Sequence, residues 1–225
     1  MLWRPNVSRS IGIPVVYARK CAEDMRRFAP KIWGGSIDAV IDSWASRGLD
    51  QYIISRLLWD PDQDVDAMIE DYCRAGFGPA WREVKAYFDK LESLTSAAAD
   101  AAAGGGYTNF GPFADAFYTE DKLRALQALL DEARRTARDD DKVQRRIAFL
   151  QAPLDWLKVS TPAWKLYAEK GDKDAARRAV REVYAFLREH REGNAIRSAF
   201  IHSKIGWMWE AFFGVDGKTD WCRPF

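Results

Sequence analysis

The sequence predicts a mainly α protein in which two short βα units precede a series of up-and-down helices. After residue 60, apolar residues recur three and four positions apart over most of the chain, which is the spacing of amphipathic helices. Before residue 60, short apolar stretches bounded by proline and glycine alternate with helical segments. The 225 residues are 48% hydrophobic and 13% aromatic, which is enough to bury a sizeable core.

Charge and hydropathy argue against two kinds of partner. Lys plus Arg number 34 and Asp plus Glu number 33, so the net charge of +1 gives no electrostatic reason to expect binding to nucleic acid or to a membrane surface. No apolar run approaches the ~20 residues of a membrane span, and the N-terminus lacks the order of a signal peptide. We therefore expect no nucleic acid and no membrane as partner, and a cytoplasmic protein if the chain is complete.

The cysteines and histidines do not form a recognisable site. Cys21, Cys73 and Cys222 are odd in number and widely spaced, which argues against a disulfide framework and a zinc site. His190 and His202 are too few for histidine-based metal clusters or triads, and His190 suits the last turn of a helix. We expect buried thiols, no metal and no cofactor.

The N-terminal part predicts strand, helix, strand and helix. Apolar stretches at Leu2–Arg4 and Lys31–Ile37 suit strands, and Pro14–Phe28 has helical spacing with proline at its first position. A second helix is expected from about Ser43 to Leu58. Because parallel strands are normally covered on both faces, two such units alone would need further partners.

From Asp60 onward the chain is expected to be helical. The apolar stripes of the predicted helices span Val65–Tyr72, Trp81–Leu94, Leu123–Ala133, Val143–Leu157 and Ala176–Leu187. Three of these helices, joined by short connections, suit an up-and-down bundle. Pro153 predicts a kink in one of them. We divide the chain into residues 1–60 and 61–225, with a linker near 97–112 where Gly104–Gly106 follow an alanine-rich stretch.

The acidic stretch that begins at Asp60 has two interpretations. Asp60, Asp62 and Asp64 alternate as calcium ligands do, but Val65 stands where an EF-hand loop requires glycine and Asp71 where it requires glutamate. The pattern therefore fails at two determining positions. We expect a helix start instead, with Asp62 or Asp64 as its cap.

The same helix should end at a glycine. Asp66 in its first turn suits the positive end of the helix dipole, and Gly76 is expected to supply the stop. These local roles account for most of the acidic residues without a metal.

The stretch WASRGLDQYIISRLLWDPDQDVDAMIEDYCRAGFGPAWREVKAYFDKLE resembles a bacterial family of uncharacterised glycoside-hydrolase-like proteins related to alpha-glucuronidases. The matching elements are Trp44, Gly48, Tyr52, LLWDPD at 57–62, DYC at 71–73, GFGPA at 76–80, and an aromatic pair near LE at 87–92. WRPN at 3–6 resembles a late barrel strand of that family. FYTEDKLRALQALLDEA and QRRIAFLQAPLDW resemble its C-terminal helical domain.

The resemblance implies a (β/α)8 barrel followed by a helical domain. This chain would be the C-terminal portion of such a protein, with a remnant of the last two βα units before the helices. Active sites of such barrels lie at the C-terminal ends of the strands, here just after Arg4 and just after Ile37. The residues expected near a substrate-binding rim are Trp3, Arg4, Asn6, Asp38, Asp42 and Trp44.

Each of these residues has a chemical role and an alternative. Trp3 and Trp44 are suited to stacking on sugar rings, and Arg4 to pairing with a uronate carboxylate in bidentate geometry. Trp3 also suits a barrel core, Arg4 a local salt bridge, and Asp42 the cap of the following helix. Glycoside hydrolysis requires two carboxylates, and no family motif assigns that role to Asp38 or Asp42. The catalytic residues stay unassigned.

Two functions follow as hypotheses. The first is the C-terminal fragment of a carbohydrate-active, alpha-glucuronidase-like glycoside hydrolase, which contributes a substrate-site rim and a helical domain and is not catalytic alone. Its partner would be a carbohydrate, with uronate as a candidate component. The second is a stand-alone helical interaction or dimerisation module without enzymatic activity, with a homodimer as its candidate assembly.

Overall fold

Helices dominate the described part of the chain. The computed structural model describes residues 2–3, 13–33, 35–37, 44–101, 118–169, 171–193, 195–196, 198 and 201. The helices are α1 Ala18–Phe28, α2 Trp44–Leu57, α3 Val65–Phe77, α4 Trp81–Ala101, α5 Glu120–Thr136, α6 Asp141–Ala168 and α7 Lys173–Glu189. The prediction of a mainly α protein is confirmed. No helix in these ranges is long and apolar enough to cross a membrane.

Two short strands pair in parallel near the start of the chain. β1 Leu2–Trp3 and β2 Ser36–Ile37 form a two-stranded sheet, with α1 between them in sequence and α2 after them. Leu2 pairs with Ser36, and Trp3 pairs with Ile37. The order strand, helix, strand and helix is therefore the one that the apolar stretches predict. Among the described residues the sheet has two strands, which do not form a barrel.

The main core draws on both of the predicted parts of the chain. Each of α1 to α6 contributes buried side chains to a single cluster, among them Cys21, Ile53, Ile69, Leu91, Leu126 and Ile147. α1 packs on α2 and α3, and α2 also packs on α6. The predicted division at residue 60 stays a prediction, and the structure adds that the residues on its two sides share this core.

A second core lies between α6 and α7. Trp156 and Trp164 of α6 pack with Val180, Val183 and Leu187 of α7. Ile196 and Ile201 complete this cluster. α6 runs unbroken through Pro153 and Pro162, so the predicted distortion does not end the helix. Its 28 residues let one helix contribute to both cores.

The acidic stretch starts a helix, as predicted. Asp64 is the cap of α3, since its Oδ1 accepts hydrogen bonds from the amides of Asp66 at 2.9 Å and Ala67 at 3.1 Å. The predicted stop at Gly76 is wrong. α3 continues to Phe77 and ends at Gly78, whose φ of +47° lies in the region that only glycine adopts freely.

Candidate functional site

The C-terminal ends of β1 and β2 lie side by side and define the strand-end edge of the sheet. Trp3 and Ile37, the last residues of the two strands, are paired in register. Four of the predicted rim residues belong to these two segments: Arg4, Asn6, Asp38 and Asp42 lie outside the described residues. The pairing therefore brings the last residues of the two strands together.

The structure describes the backbone of both predicted tryptophans. Trp3 is the last residue of β1, and the structure describes its backbone. Trp44 is the first residue of α2, and 44% of its surface is exposed. An exposed indole at the start of a helix that follows a strand has the accessibility that a stacking contact requires.

The start of α1 is capped by side chains from other helices. Tyr17 occupies the cap position of α1, but no side chain from the local sequence bonds the first amides. Helix starts leave backbone N–H groups without partners, and these must be satisfied when they are buried. The acceptors are Thr95 Oγ1 for the amide of Val16 at 3.1 Å, Asp50 Oδ1 for Tyr17 at 3.2 Å, and Glu92 Oε1 for Arg19 at 2.7 Å.

We call Tyr17, Arg47, Asp50, Glu92 and Thr95 the α1 cap cluster. Arg47 is 3% exposed, and its guanidinium lies over the Tyr17 ring, 5.4 Å from the centroid. Arg47 Nη1 also donates a hydrogen bond to the Tyr17 hydroxyl. Burial lowers the pKa of Arg47 to about 10, and the nearby Asp50 opposes that shift. A buried cation in contact with an aromatic face therefore lies beside a buried acid.

Asp50 is the most unusual member of the α1 cap cluster. It is 1% exposed, and within the described part of the chain its Oδ2 has no hydrogen-bond partner. Burial raises the pKa of Asp50 well above its ordinary value, Arg47 opposes the shift, and Glu92 adds to it. A buried carboxyl group with one oxygen bonded and the other unbonded requires a physical explanation.

Three members of the α1 cap cluster lie near the starts of α1 and α2. In a βα unit, the N-terminus of the helix follows the C-terminal end of the strand. Tyr17 stands at the start of α1, and Arg47 and Asp50 lie in the first two turns of α2.

A second charged network ties α1 to α3 and α4. Arg19 Nη2 contacts Asp66 Oδ1 at 2.6 Å and Asp89 Oδ1 at 2.8 Å, and Arg19 Nη1 contacts Glu92 Oε2. Lys85 Nζ bonds Asp89 from the same helix at 2.7 Å. Several carboxylates around one guanidinium fix its orientation, so this network holds α1 against its neighbours.

Asp60, Asp64 and Asp66 of the acidic stretch have partners within the fold. Asp60 Oδ1 accepts the amide of Asp62 at 3.1 Å, Asp64 caps α3, and Asp66 binds Arg19. Among the residues that the structure describes, no three His, Cys, Asp or Glu side chains are grouped so that they could hold a metal ion.

Two tryptophans are fully exposed near the C-terminal ends of α1 and α2. Trp33 follows the turn after α1, and Trp59 follows α2, with relative exposures of 108% and 92%. Gln63 braces the turn that carries Trp59, because its side-chain amide donates to the carbonyl of Arg56 at 3.1 Å. Arg26 of α1 donates to the Gln63 carbonyl at 3.0 Å, which joins the two helix ends.

Sequence reasoning missed the α1 cap cluster, although one signal was present. Asp50 lies on the apolar stripe of α2, spaced three and four residues from Ile53 and Ile54 and seven from Leu57. A charged residue on a buried stripe needs a partner, and that partner can be distant in the chain. The prediction of buried thiols is confirmed for Cys21 and Cys73, which are buried and free. Cys222 lies outside the described residues.

Comparison with known proteins gives one family match. Residues 14–89 match a family described as "Domain of unknown function (DUF4838)". No curated protein and no solved structure matches the chain. The matched range includes Tyr17, Arg47 and Asp50 of the α1 cap cluster, the acidic stretch and the first part of α4, up to Asp89. It supports relation to an uncharacterised domain family and names no activity.

Proposed function

We propose that this chain is the C-terminal part of a carbohydrate-active, alpha-glucuronidase-like protein. It contributes one side of a substrate-binding rim and a helical domain, and it does not catalyse by itself. The observation that carries the proposal is the parallel pairing of β1 with β2, in which Trp3 and Ile37 are adjacent. This register supports a shared rim at the strand-end edge.

The paired βα units support a larger parallel sheet. Parallel sheets are normally covered on both faces and are built from several strands. In this chain, the two described strands of two residues each are followed by helices that pack against one another. The proposal treats them as the last two βα units of a (β/α)8 barrel whose preceding strands belong to the parent protein.

The rim residues have complementary chemistry for an acidic sugar. Arg4 offers a planar, bidentate partner for a uronate carboxylate. Asn6 and Asp38 offer hydrogen bonds to sugar hydroxyls, and Asp42 lies on the same segment as Asp38. Trp3 and Trp44 offer apolar faces for a pyranose ring.

The proposed division of labour explains why the isolated chain should be inactive. Glycoside hydrolysis uses two carboxylates on opposite sides of the scissile bond, held at a defined separation. In a (β/α)8 enzyme, catalytic residues come from the ends of several different strands. A chain with two of those strands therefore binds substrate weakly and lacks the full catalytic set.

The experiment is a calorimetric titration of the 225-residue chain with a xylooligosaccharide that bears glucuronic acid. We expect weak binding and no hydrolysis. Arg4→Lys should weaken binding of the acidic ligand by about tenfold, equivalent to about 1.4 kcal/mol, because lysine loses the bidentate geometry. The same substitution should reduce the affinity for the unsubstituted xylooligosaccharide much less.

The matched control is Arg138→Lys, which makes the same chemical change at an exposed arginine between α5 and α6. It should leave both affinities unchanged. Robust turnover by the isolated chain would contradict the proposal, and so would equal losses of affinity for the acidic and the neutral ligand.

A second function is favoured by the exposed tryptophans. Trp33 and Trp59 are large apolar side chains in water at neighbouring helix ends. Tryptophan is enriched in the central contacts of protein interfaces. We therefore retain a helical interaction or dimerisation module as the alternative function, with a homodimer as its simplest assembly.

Light scattering at several protein concentrations distinguishes this alternative. A homodimer that uses these side chains should dissociate when Trp33→Ser and Trp59→Ser are combined, whereas Arg138→Ser should have no effect. A wild-type chain that remains monomeric across the concentration range would exclude a homodimer built on this surface.

A further inference from the structure

We propose that the segment following α7 positions Trp44 for ligand binding: the carbonyl of Ala195 and the side chains packed around it hold the first turn of α2, which carries the exposed indole. Ala195 is thus a positioning residue of the candidate rim, although it lies near the far end of the chain. Its role in binding rests on the proposed function.

The start of α2 is bonded to a distant part of the chain. The amide of Ala45, the second residue of α2, donates a hydrogen bond to the carbonyl of Ala195 at 3.3 Å. The first amides of a helix have no partner within the helix, and they need an acceptor when they are buried. Ala45 is 4% exposed, so the Ala195 carbonyl supplies an acceptor at a place that water hardly reaches.

Small side chains allow this close approach. Ala45 and Ala195 pack with Ala152 of α6 in an apolar cluster, and Phe149 lies against it. All three alanines are buried. Because each side chain is a single methyl group, a larger side chain at Ala195 has no room and should push the segment away from α2.

The segment that carries Ala195 is also fixed to α6 and α7. Ile196 is 1% exposed and belongs to the second core. Ser198 is buried, and its Oγ donates a hydrogen bond to the carbonyl of His190, at the end of α7, at 3.2 Å. The second core therefore determines where the Ala195 carbonyl lies, and the bond to Ala45 joins that position to α2.

The indole of Trp44 lies along the turn that this bond holds. Trp44 precedes Ala45, and its Cε3 is 3.9 Å from the place that a Cβ of Gly48 would occupy, so the ring lies beside Gly48 one turn along α2. The indole is nonetheless exposed. A stacking side chain gains affinity when its orientation is fixed before binding, because less conformational freedom is lost.

The first part of the test replaces Ala195 by leucine and records the indole N–H resonance of Trp44 in the ligand-free, ¹⁵N-labelled chain. Trp44→Phe assigns that resonance by its loss. We expect Ala195→Leu to shift it, whereas Ala125→Leu, the same change at an exposed alanine of α5, should leave it in place. An unchanged Trp44 resonance in Ala195→Leu would overturn the positioning role, with or without a ligand.

The second part measures affinity for a xylooligosaccharide that bears glucuronic acid by calorimetry. Trp44→Ala should weaken binding by about three- to tenfold, and Ala195→Leu by about threefold. If Ala195 acts through Trp44, its effect disappears in the Trp44→Ala background and persists in full in the Arg4→Lys background. Equal losses in the two backgrounds would indicate a general loss of structure and would contradict the positioning role.

Ala195→Gly covers the case in which the leucine variant does not fold. It removes the methyl contact without overpacking, and its smaller loss of affinity should likewise vanish in the Trp44→Ala background. A wild-type chain that does not bind the oligosaccharide would contradict the proposed function and the role of Ala195 in binding. The Trp44 resonance would then still show whether Ala195 fixes the indole, so the two failures are distinguishable.

Discussion

Gly48 lies at a close approach between α2 and α3. A methyl group at this position would lie 2.9 Å from the hydroxyl oxygen of Tyr72, which is too short for an ordinary contact. The Tyr72 ring packs between Tyr52 and Phe88, with centroid distances of 5.4 and 6.1 Å, so it has little room to move away. Glycine is therefore needed here because a larger side chain would collide with Tyr72. Backbone conformation is not the reason, since the φ of Gly48 does not lie in the left-handed region.

This contact predicts opposite effects for two similar substitutions. Gly48→Ala should destabilise the fold by about 1–3 kcal/mol through overpacking. The higher helix propensity of alanine offsets ~1 kcal/mol of that cost. Gly76→Ala in α3 should stabilise by about 0.4–1 kcal/mol, because an added Cβ meets nothing within 4 Å. Urea denaturation of the two variants measures both effects. Equal stabilisation by both would show that Tyr72 adapts freely.

Residues with local partners were predictable, and residues with distant partners were not. Asp64 could be identified as a cap because its partners are the next two amides of α3. Gly76 and Gly78 are both glycines near the end of α3, and only the backbone shows that Gly78 is the stop. Asp50 bonds the amide of Tyr17, and no sequence pattern specifies that pairing.

At the scale of elements, α3 depends on a single side-chain cap. Asp64→Ala should therefore destabilise the fold by about 1 kcal/mol, within a usual range of 0.5–2 kcal/mol for lost caps. Asp62→Ala, at the other residue that the sequence offered as a cap, should change stability by less than about 0.5 kcal/mol. Thermal or urea unfolding measures the difference. Equal losses would mean that the two aspartates share the cap.

The acidic stretch also predicts a null response to calcium. Asp64 already accepts two amides and Asp66 binds Arg19, so two of these carboxylates are engaged within the fold. Addition of calcium in place of a chelator should leave the melting temperature unchanged, since a ligand stabilises only the state that binds it. A rise that saturates with calcium would restore the metal interpretation.

The start of α1 shows why element boundaries are hard to predict from sequence. Helical spacing and Pro14 indicate the segment, but the acceptors of its first amides come from α2 and α4. Thr95 is 79 positions away from Val16. A sequence window that covers α1 does not contain the residues that bond its first amides. By contrast, α7 is capped locally by Asp172.

At the scale of the whole molecule, α6 contributes to the two large clusters of buried apolar side chains among the described residues. α1 to α5 pack with the first part of α6, whereas α7 packs with its second part. Periodicity predicted the helices, but the division into two cores depends on which face of α6 each neighbour covers. That choice is a property of the tertiary packing.

The two cores predict separable local stability. Leu187→Ala in α7 should increase hydrogen exchange in α7 and in the second part of α6, with little change in α2 to α4. Leu126→Ala in α5 should increase exchange across the main core, because both side chains are fully buried and each deletion costs about 2–5 kcal/mol. Hydrogen exchange with mass spectrometry resolves the segments. Identical exchange patterns for both variants would show one cooperative unit.

The central claim is that the segments following β1 and β2 form one binding rim. The most direct test is an NMR titration of the ¹⁵N-labelled chain with a xylooligosaccharide that bears glucuronic acid. The chemical shifts of the backbone amides are measured at each ligand concentration. We expect the amides of residues 3–6 and 37–44 to shift together and to fit one dissociation constant. Shifts confined to other parts of the chain, or to only one of these two segments, would contradict the account.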